Sequence, residues 1–331
     1  MFVKKSSHPD HTYMAMVEQI LTEGEVREDR TGTGTISLFG PQMQFDLLDG
    51  FPLLTTKKVS WKNIWTELFW FLKGDTNIKF LNGEGNHIWD EWTNDEGDLG
   101  PVYGAMWRNW PSENGPIDQI NQLIKNLRDN PLSRRHVISG WNPALLPDEN
   151  EDHATNVANG RQALPPCHTL FQFYVQKMST ADRLRYLKNM LGVDPEDCEL
   201  LKQAGDAAIN QCADEHLVPT QKLNCKLYQR SADMFLGVPY NIGSYAMLTG
   251  LIAEMCDMGP GNFIPSFGDA HVYSNHIEQL HTQAKRSAKH LPFLDIDERV
   301  RGYESIDELR LDDLRVVGYQ SHPAIKGAVA V

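Results

Sequence analysis

Cys167 sits in LPPCH, between a proline pair and His168, the sharpest local feature of the chain. A Cys-His dipeptide alone more often marks a small core residue than a nucleophile. Attack on carbon needs the thiolate, and a free thiol of pKa about 8.5 is mostly neutral at pH 7, so a reactive cysteine requires cationic or dipolar neighbours. Arginines in unusual contexts could supply them. Arg134 and Arg135 stand together ahead of a strand-like run, Arg230 precedes Ser231 at the end of another, and Arg30 opens RTGTGT. Guanidinium forks match a phosphate dianion, and a serine hydroxyl adds a donor. RTGTGT lacks both the GxxxxGK[ST] spacing and the following helix of a P-loop. Asn241 offers a donor and an acceptor side by side, the complement of a uracil edge, although its position also suits a helix N-cap. His271 fits a satisfied core histidine when taken alone. With Tyr273, two residues on in the same strand-like run, it would share a face and suit the hydroxyl of a sugar. Glu67 falls in the middle of the most apolar helical stretch, where an ionised carboxylate is costly.

The elements that hold these residues can be read from periodicity and punctuation. Residues 11–24 have helical spacing of Tyr13, Met16, Val17, Ile20 and Leu21, with Gly24 as the stop. A strand-like run, ISLFGPQMQFDL, follows the Gly/Thr loop at 30–35, and SWKNIWTELFWFLK at 60–73 predicts a buried helix capped by Ser60. A helix is expected at about 115–129, a short strand at 136–141 and a polar loop at 147–161. CHTLFQFYV at 167–175 and LNCKLYQRS at 223–231 read as two strands of a hairpin, split by a helical insertion at 176–222. Within it TADRLRYLKNML is amphipathic, and Asp194 with Pro195 opens the next helical stretch. NIGSYAMLTGLIAEMC at 241–256 predicts another buried helix. With no repeat, low-complexity tract or flexible linker, a single α+β domain spanning 1–331 is expected.

Composition narrows the classes of function. The 331 residues are 41% hydrophobic and 23% charged, enough for a sizeable core. The five cysteines, 167, 198, 212, 225 and 256, form no CxxC pair and no zinc-like spacing with histidine, which predicts reduced thiols and no metal. No signal-like apolar stretch opens the chain and no run of about 18 apolar residues occurs, so a cytoplasmic protein off the membrane is expected. A net charge of −13 argues against DNA binding, while leaving room for a small anion held by a local arginine cluster.

In this order the features resemble the thymidylate synthase family. The resemblance runs through RTGTGT, FPLLTTKK, WTELFWFLKGDTNI, IWDEW, GDLGPVYGAMWR, SRRHVISGWNP, LPPCH, FQFYV, LYQRSADMFLGVPYNI, GDAHVYSNH and the terminal HPAIKGAVAV. It spares the loop at 147–161 and the insertion. It implies a central mixed β-sheet flanked by helices and a homodimer formed through the sheet face. It also implies that Cys167 adds to ring carbon 6 of dUMP, with 5,10-methylenetetrahydrofolate donating first a one-carbon unit and then a hydride. Arg30, Arg230 and Ser231, with Arg134 and Arg135 shared across the interface, would hold the phosphate and favour the thiolate. Asn241 would read the uracil, and His271 and Tyr273 the deoxyribose. Glu67, Tyr103 and His168 would manage protons and water at the pyrimidine. Asp233 would accept from the pterin at the edge of both ligands, with Ile88, Trp89, Leu236 and Tyr240 as walls, Lys57 on the glutamyl tail and Val331 in the closing C-terminus. Gly243 and Tyr240 stand where many members carry alanine and phenylalanine. A dUMP hydroxymethylase with the same nucleophile is the alternative, and a non-catalytic nucleotide- or RNA-binding relative is a third reading.

Overall fold

Alternating burial along several long strands builds one sheet. The computed structural model describes residues 8–28 and 32–329. Its strands are β1 (Glu25–Arg27), β2 (Thr35–Phe39), β3 (Phe45–Asp46), β4 (Val137–Ser139), β5 (His168–Lys177), β6 (Gln221–Asp233), β7 (Gly259–Tyr273), β8 (Phe293–Ile296) and β9 (Leu314–Val317). The first seven share a sheet in the order β1-β2-β7-β6-β5-β4, with β3 also on β7, and β8 and β9 pair separately. β6 and β7 run parallel while their neighbours are antiparallel, so the sheet is mixed. In β6, Leu223, Cys225, Leu227 and Gln229 are buried on one face while Lys226 and Tyr228 are exposed on the other, the period-2 pattern of a half-covered sheet.

The covering helices are α1 (Pro9–Glu23), α2 (Trp61–Leu72), α3 (Lys79–Gly83), α4 (Tyr103–Arg108), α5 (Gln119–Asp129), α6 (His153–Ala158), α7 (Thr180–Asn189), α8 (Pro195–Ala204), α9 (Asp206–Glu215), α10 (Gly237–Met255) and α11 (Ile277–Ala284). Ser60 caps α2 as its sequence predicts, its Oγ accepting from the Asn63 N–H at 3.3 Å. Ile64, Trp65, Leu68, Trp70, Phe71 and Leu72 are buried, each contributing about 1.5–3 kcal/mol of hydrophobic stabilisation. α10 is buried nearly all round, as its lack of a polar face demands. Gly243 lets it lie close to α2: a Cβ there would come within 2.7 Å of Ile64 Cδ1. The chain is a mixed α+β single domain with a central sheet flanked by helices.

Several boundaries differ from the sequence expectation for local reasons. The helix expected from 115 begins at Gln119, because Ile117 bridges to Trp110 and Asp118 supplies the cap. The strand at 136–141 is confined to β4. The stretch 147–161 contains α6, whose polar sequence hides its anchor: Asn156 is buried and donates to the Asp148, Glu151 and Asp152 carbonyls. α10 starts at Gly237, so Asn241 lies inside the helix and is not its N-cap. β5 and β6 extend to Lys177 and from Gln221, which confines the helical excursion to 178–220. Gly205, at φ +94°, breaks its second half into α8 and α9.

The excursion is fastened to the body through α7. Arg185 bridges Asp46 at 2.9 Å, Asp49 at 3.0 Å and Asp182 at 2.7 Å, and Asn189 Nδ2 donates to the Leu48 carbonyl at 2.8 Å. Beneath this rim Leu48 packs with Met178, Tyr186, Leu187, Ala213 and Val218. Replacing residues 178–220 with a two-residue turn is expected to leave a folded protein, because β5 and β6 already pair as a hairpin. Uncovering Leu48 should lower the melting midpoint by about 5–10 °C. Loss of a cooperative transition in the shortened chain would instead make these helices part of the main folding unit.

Candidate active site

The β5–β6 ladder joins the nucleophile candidate to the first arginine. The Arg230 N–H donates to the Cys167 carbonyl at 2.9 Å. Its guanidinium turns back on the proline pair, with Nε donating to the Pro166 carbonyl at 3.0 Å and Nη2 to the Pro165 carbonyl at 2.8 Å. Fixed proline φ angles hold those carbonyls in place, and the guanidinium carbon lies 5.8 Å from the Trp141 ring centroid. The Cys167 N–H donates to Tyr103 Oη at 3.0 Å. Burial pushes the Cys167 thiol pKa up, and Arg230 opposes that rise without cancelling it. One arginine therefore does not produce the thiolate that a full cluster was expected to favour.

A register shift between β5 and β6 falls between His168 and Leu170. Strict alternation from Phe171 would turn His168 outward, whereas the bulge buries both His168 and Thr169. His168 then packs 5.3 Å, centroid to centroid, from both Tyr103 and Tyr245. Burial drives its pKa down to about 4, with an Asn241 hydrogen bond acting the other way, so the imidazole is neutral at pH 7. Gln229 Nε2 donates to Asn241 Oδ1 at 3.0 Å and to the Ser231 carbonyl at 3.1 Å. Asn241 is thus held from the sheet, and the Gln229 donor fixes which way its amide faces. Gln229 was missed by sequence reasoning, yet it continues the inward series Leu223, Cys225 and Leu227, and an amide in such a series is a readable signal. Trp141, under Arg230, carried no such signal.

Glu67 projects from α2 toward the aromatic cluster of Trp89 and Tyr103. Trp89 Nε1 donates to Glu67 Oε1 at 2.8 Å, and the Trp89 and Tyr103 ring centroids are 5.9 Å apart. Burial raises the Glu67 pKa to about 7, against the lowering effect of the Trp89 bond. Tyr103 is raised by its own burial and then by Cys167.

Along the β6–β7 ladder Ser231 lies opposite Asp269 and Asp233 opposite His271. His271 Nδ1 is 3.1 Å from Asp269 Oδ1, and its ring centroid is 5.1 Å from that of Tyr273. Asp233 Oδ1 accepts from the Phe235 and Leu236 N–H groups at 2.8 and 3.2 Å. Leu236 and Tyr240 are half-buried beyond it, and Ile88 is exposed on a separate loop. Lys57 is buried, bonded to the Phe235 carbonyl and lying 3.7 Å from the centroid of that ring. Burial lowers its pKa to about 7, with Asp233 pulling upward, so it does not stand ready as a surface cation. Arg134 and Arg135 are not brought to the others: both are exposed ahead of β4. Val137 pairs with Gln172 and the Phe173 N–H meets the His136 carbonyl, which sets Arg135 level with Tyr174. Tyr174 is roughly 20 Å from Cys167 at about 3.3 Å per residue. Arg30 and Val331 lie outside the described residues. Among the described residues no cluster of His, Cys, Asp and Glu could hold a metal, and no helix is long and apolar enough to cross a membrane.

The raised Glu67 pKa has a signed consequence for stability. The folded protein holds this proton more tightly than the unfolded chain, whose carboxyl titrates near 4.5, so stability falls as pH rises from about 4.5 to about 7. At about 1.4 kcal/mol per pH unit the loss is about 3 kcal/mol. Glu67→Gln removes it. Denaturant unfolding at pH 4 and pH 8 should show the variant gaining about that much relative to wild type, and an unchanged difference would mean that Glu67 titrates normally.

Comparison with known families matches residues 11–331 to the thymidylate synthase family, nearly the whole chain. That family acts on dUMP with methylenetetrahydrofolate as cosubstrate. The chain therefore belongs to the thymidylate synthase family and is an enzyme, a methyltransferase.

Proposed function

We propose that the enzyme converts dUMP to dTMP by reductive methylation, using 5,10-methylenetetrahydrofolate as one-carbon and hydride donor and releasing dihydrofolate. The observation that carries this reading is the Asn241 amide held by Gln229, next in the strand to the Arg230 that pairs with Cys167. A uracil edge docked on that amide brings ring carbon 6 toward the thiol, and Arg230 with Ser231 faces the phosphate. Sulfur addition saturates the 5,6 bond and makes carbon 5 the nucleophile toward the folate methylene group. Glu67, poised near neutrality, moves protons at the pyrimidine oxygen, and neutral His168 orients water there. Tyr103, whose hydroxyl accepts from the Cys167 N–H, assists removal of the carbon 5 proton. His271 and Tyr273 meet the deoxyribose. Asp233 anchors the pterin against Trp89, Leu236, Tyr240 and Ile88, while Lys57 must leave the Phe235 carbonyl to meet a glutamyl tail.

The rival outcome, hydroxymethylation, requires water at the exocyclic methylene group. Half-buried Trp89, packed against Tyr103, favours hydride capture by keeping that position dry. Turnover with dUMP and methylenetetrahydrofolate should yield dihydrofolate and dTMP in equal amounts. Tetrahydrofolate with 5-hydroxymethyl-dUMP would assign the chain to the other chemistry.

A homodimer through the open sheet face supplies what one chain lacks. Val137, Leu170, Tyr174 and Tyr228 are exposed there, an apolar set that a partner would cover. Arg134 and Arg135, beyond reach of their own Cys167, would enter the partner's phosphate site and add positive field to its thiol. Mixing Cys167→Ser with Arg134→Ala/Arg135→Ala under subunit exchange should return about a quarter of wild-type activity, since about half the dimers carry one intact site. Exchange without recovered activity would place the arginine pair in its own chain's function.

A further inference from the structure

His276 is the most enclosed histidine of the described residues, 0% exposed, and none of the roles above uses it. It ends the short 3-10 turn after β7 and stands at the N-cap position of α11 without a side-chain cap bond. Its Nε2 lies 2.8 Å from the Ala328 carbonyl. A carbonyl only accepts, so Nε2 carries the proton and donates. The ring rests on Phe235, 4.8 Å between centroids, and Nδ1, with no hydrogen-bond partner, faces Asp233 Oδ1 at 4.0 Å.

The chain reaches this point as an extended strap after β9. The His322 N–H donates to the Thr55 carbonyl, and Arg286 donates to the Pro323 carbonyl at 2.7 Å. Beyond these anchors, Gly327 fits against the same two rings. A Cβ on Gly327 would come within 2.6 Å of Phe235 Cε1 and 2.9 Å of His276 Nε2, so only glycine lets the strap lie so near.

We propose that His276 is the positioning residue that seats the C-terminal strap beside Asp233, holding the Ala328 carbonyl with one ring nitrogen while the other faces the carboxylate. One imidazole then lies against both the strap and the carboxylate, and a ligand drawn to Asp233 bears on the strap through it. The link to folate rests on the function proposed above, whereas the seating of the strap does not.

Limited trypsin digestion reads the seating directly in the ligand-free protein. Lys326 is exposed just before the seated glycine, and cleavage there releases residues 327–331, measured by mass spectrometry. His276→Asn removes the Nε2 donor, His276→Gln restores an N–H at about that position, and Gly327→Ala unseats the strap while leaving the His276 side chain itself unchanged. Release should be about tenfold faster for His276→Asn and Gly327→Ala, as expected for one lost buried hydrogen bond. His276→Gln should stay near wild type. Wild-type release from both His276→Asn and Gly327→Ala, or no rescue by His276→Gln in a variant of unaltered melting midpoint, would overturn the proposal. In turnover, the same two variants should raise KM for the folate about tenfold with KM for dUMP unchanged. Faster release with an unchanged folate KM would leave the seating intact and overturn its coupling to Asp233.

Discussion

The antiparallel ladder between β5 and β6 is the constraint on which the site depends. Pairing Cys167 with Arg230 through the backbone brings a thiol and a guanidinium together without any loop having to find the geometry. One irregularity in that ladder, between His168 and Leu170, turns His168 onto the inner face, where it meets Asn241 from α10. The parallel step to β7 then continues the line through Ser231 and Asp233 to Asp269 and His271. Rigid strands thus carry side chains from three segments far apart in sequence, and α2 and α10 close the floor.

Burial sets the electrical state of this floor. Glu67 and Lys57 both titrate near 7 and His168 near 4, while the Cys167 thiol is pushed up. A single chain therefore holds its reactive groups close to neutrality, in keeping with the cost of burying unpaired charge. Arg230, committed to two proline carbonyls, gives only partial relief. Such a site responds strongly to charge brought by a ligand or a neighbouring subunit, because a small energy moves groups poised at their midpoints. The acidic chain as a whole offers no such help to an anionic substrate.

Much of this architecture was legible in the sequence because it rests on strong local patterns. Ser60 and the apolar run after it gave α2, alternation gave β5 and β6, and Asp194 with Pro195 marked the start of α8. Chemistry-bearing residues stood out by type and context, and the family resemblance ordered them. Boundaries set by tertiary contacts were hidden: Asn156 anchors a polar helix through carbonyls, and α10 begins four residues before Asn241. Distance was hidden as well, since nothing in SRRH says that Arg134 and Arg135 lie far along the ladder from Cys167. The resemblance sets Lys57 on a glutamyl tail, yet the fold buries it against Phe235. Gln229 was marked only by its place in an apolar alternating series, and His276 in SNHIEQ by nothing, since their partners come from segments 12 and 52 residues away.

The central claim is that Cys167 forms a covalent bond to the pyrimidine while Arg230 and Asn241 hold the nucleotide. Incubation with 5-fluoro-dUMP and methylenetetrahydrofolate tests it most directly, because fluorine replaces the carbon 5 proton, cannot leave as a cation, and arrests the reaction with the bond to sulfur intact. Intact-mass and peptide analysis should show one nucleotide and one folate per trapped site, both borne by the peptide containing Cys167. Trapping on another cysteine, or a fully active enzyme that yields no adduct, would contradict the account.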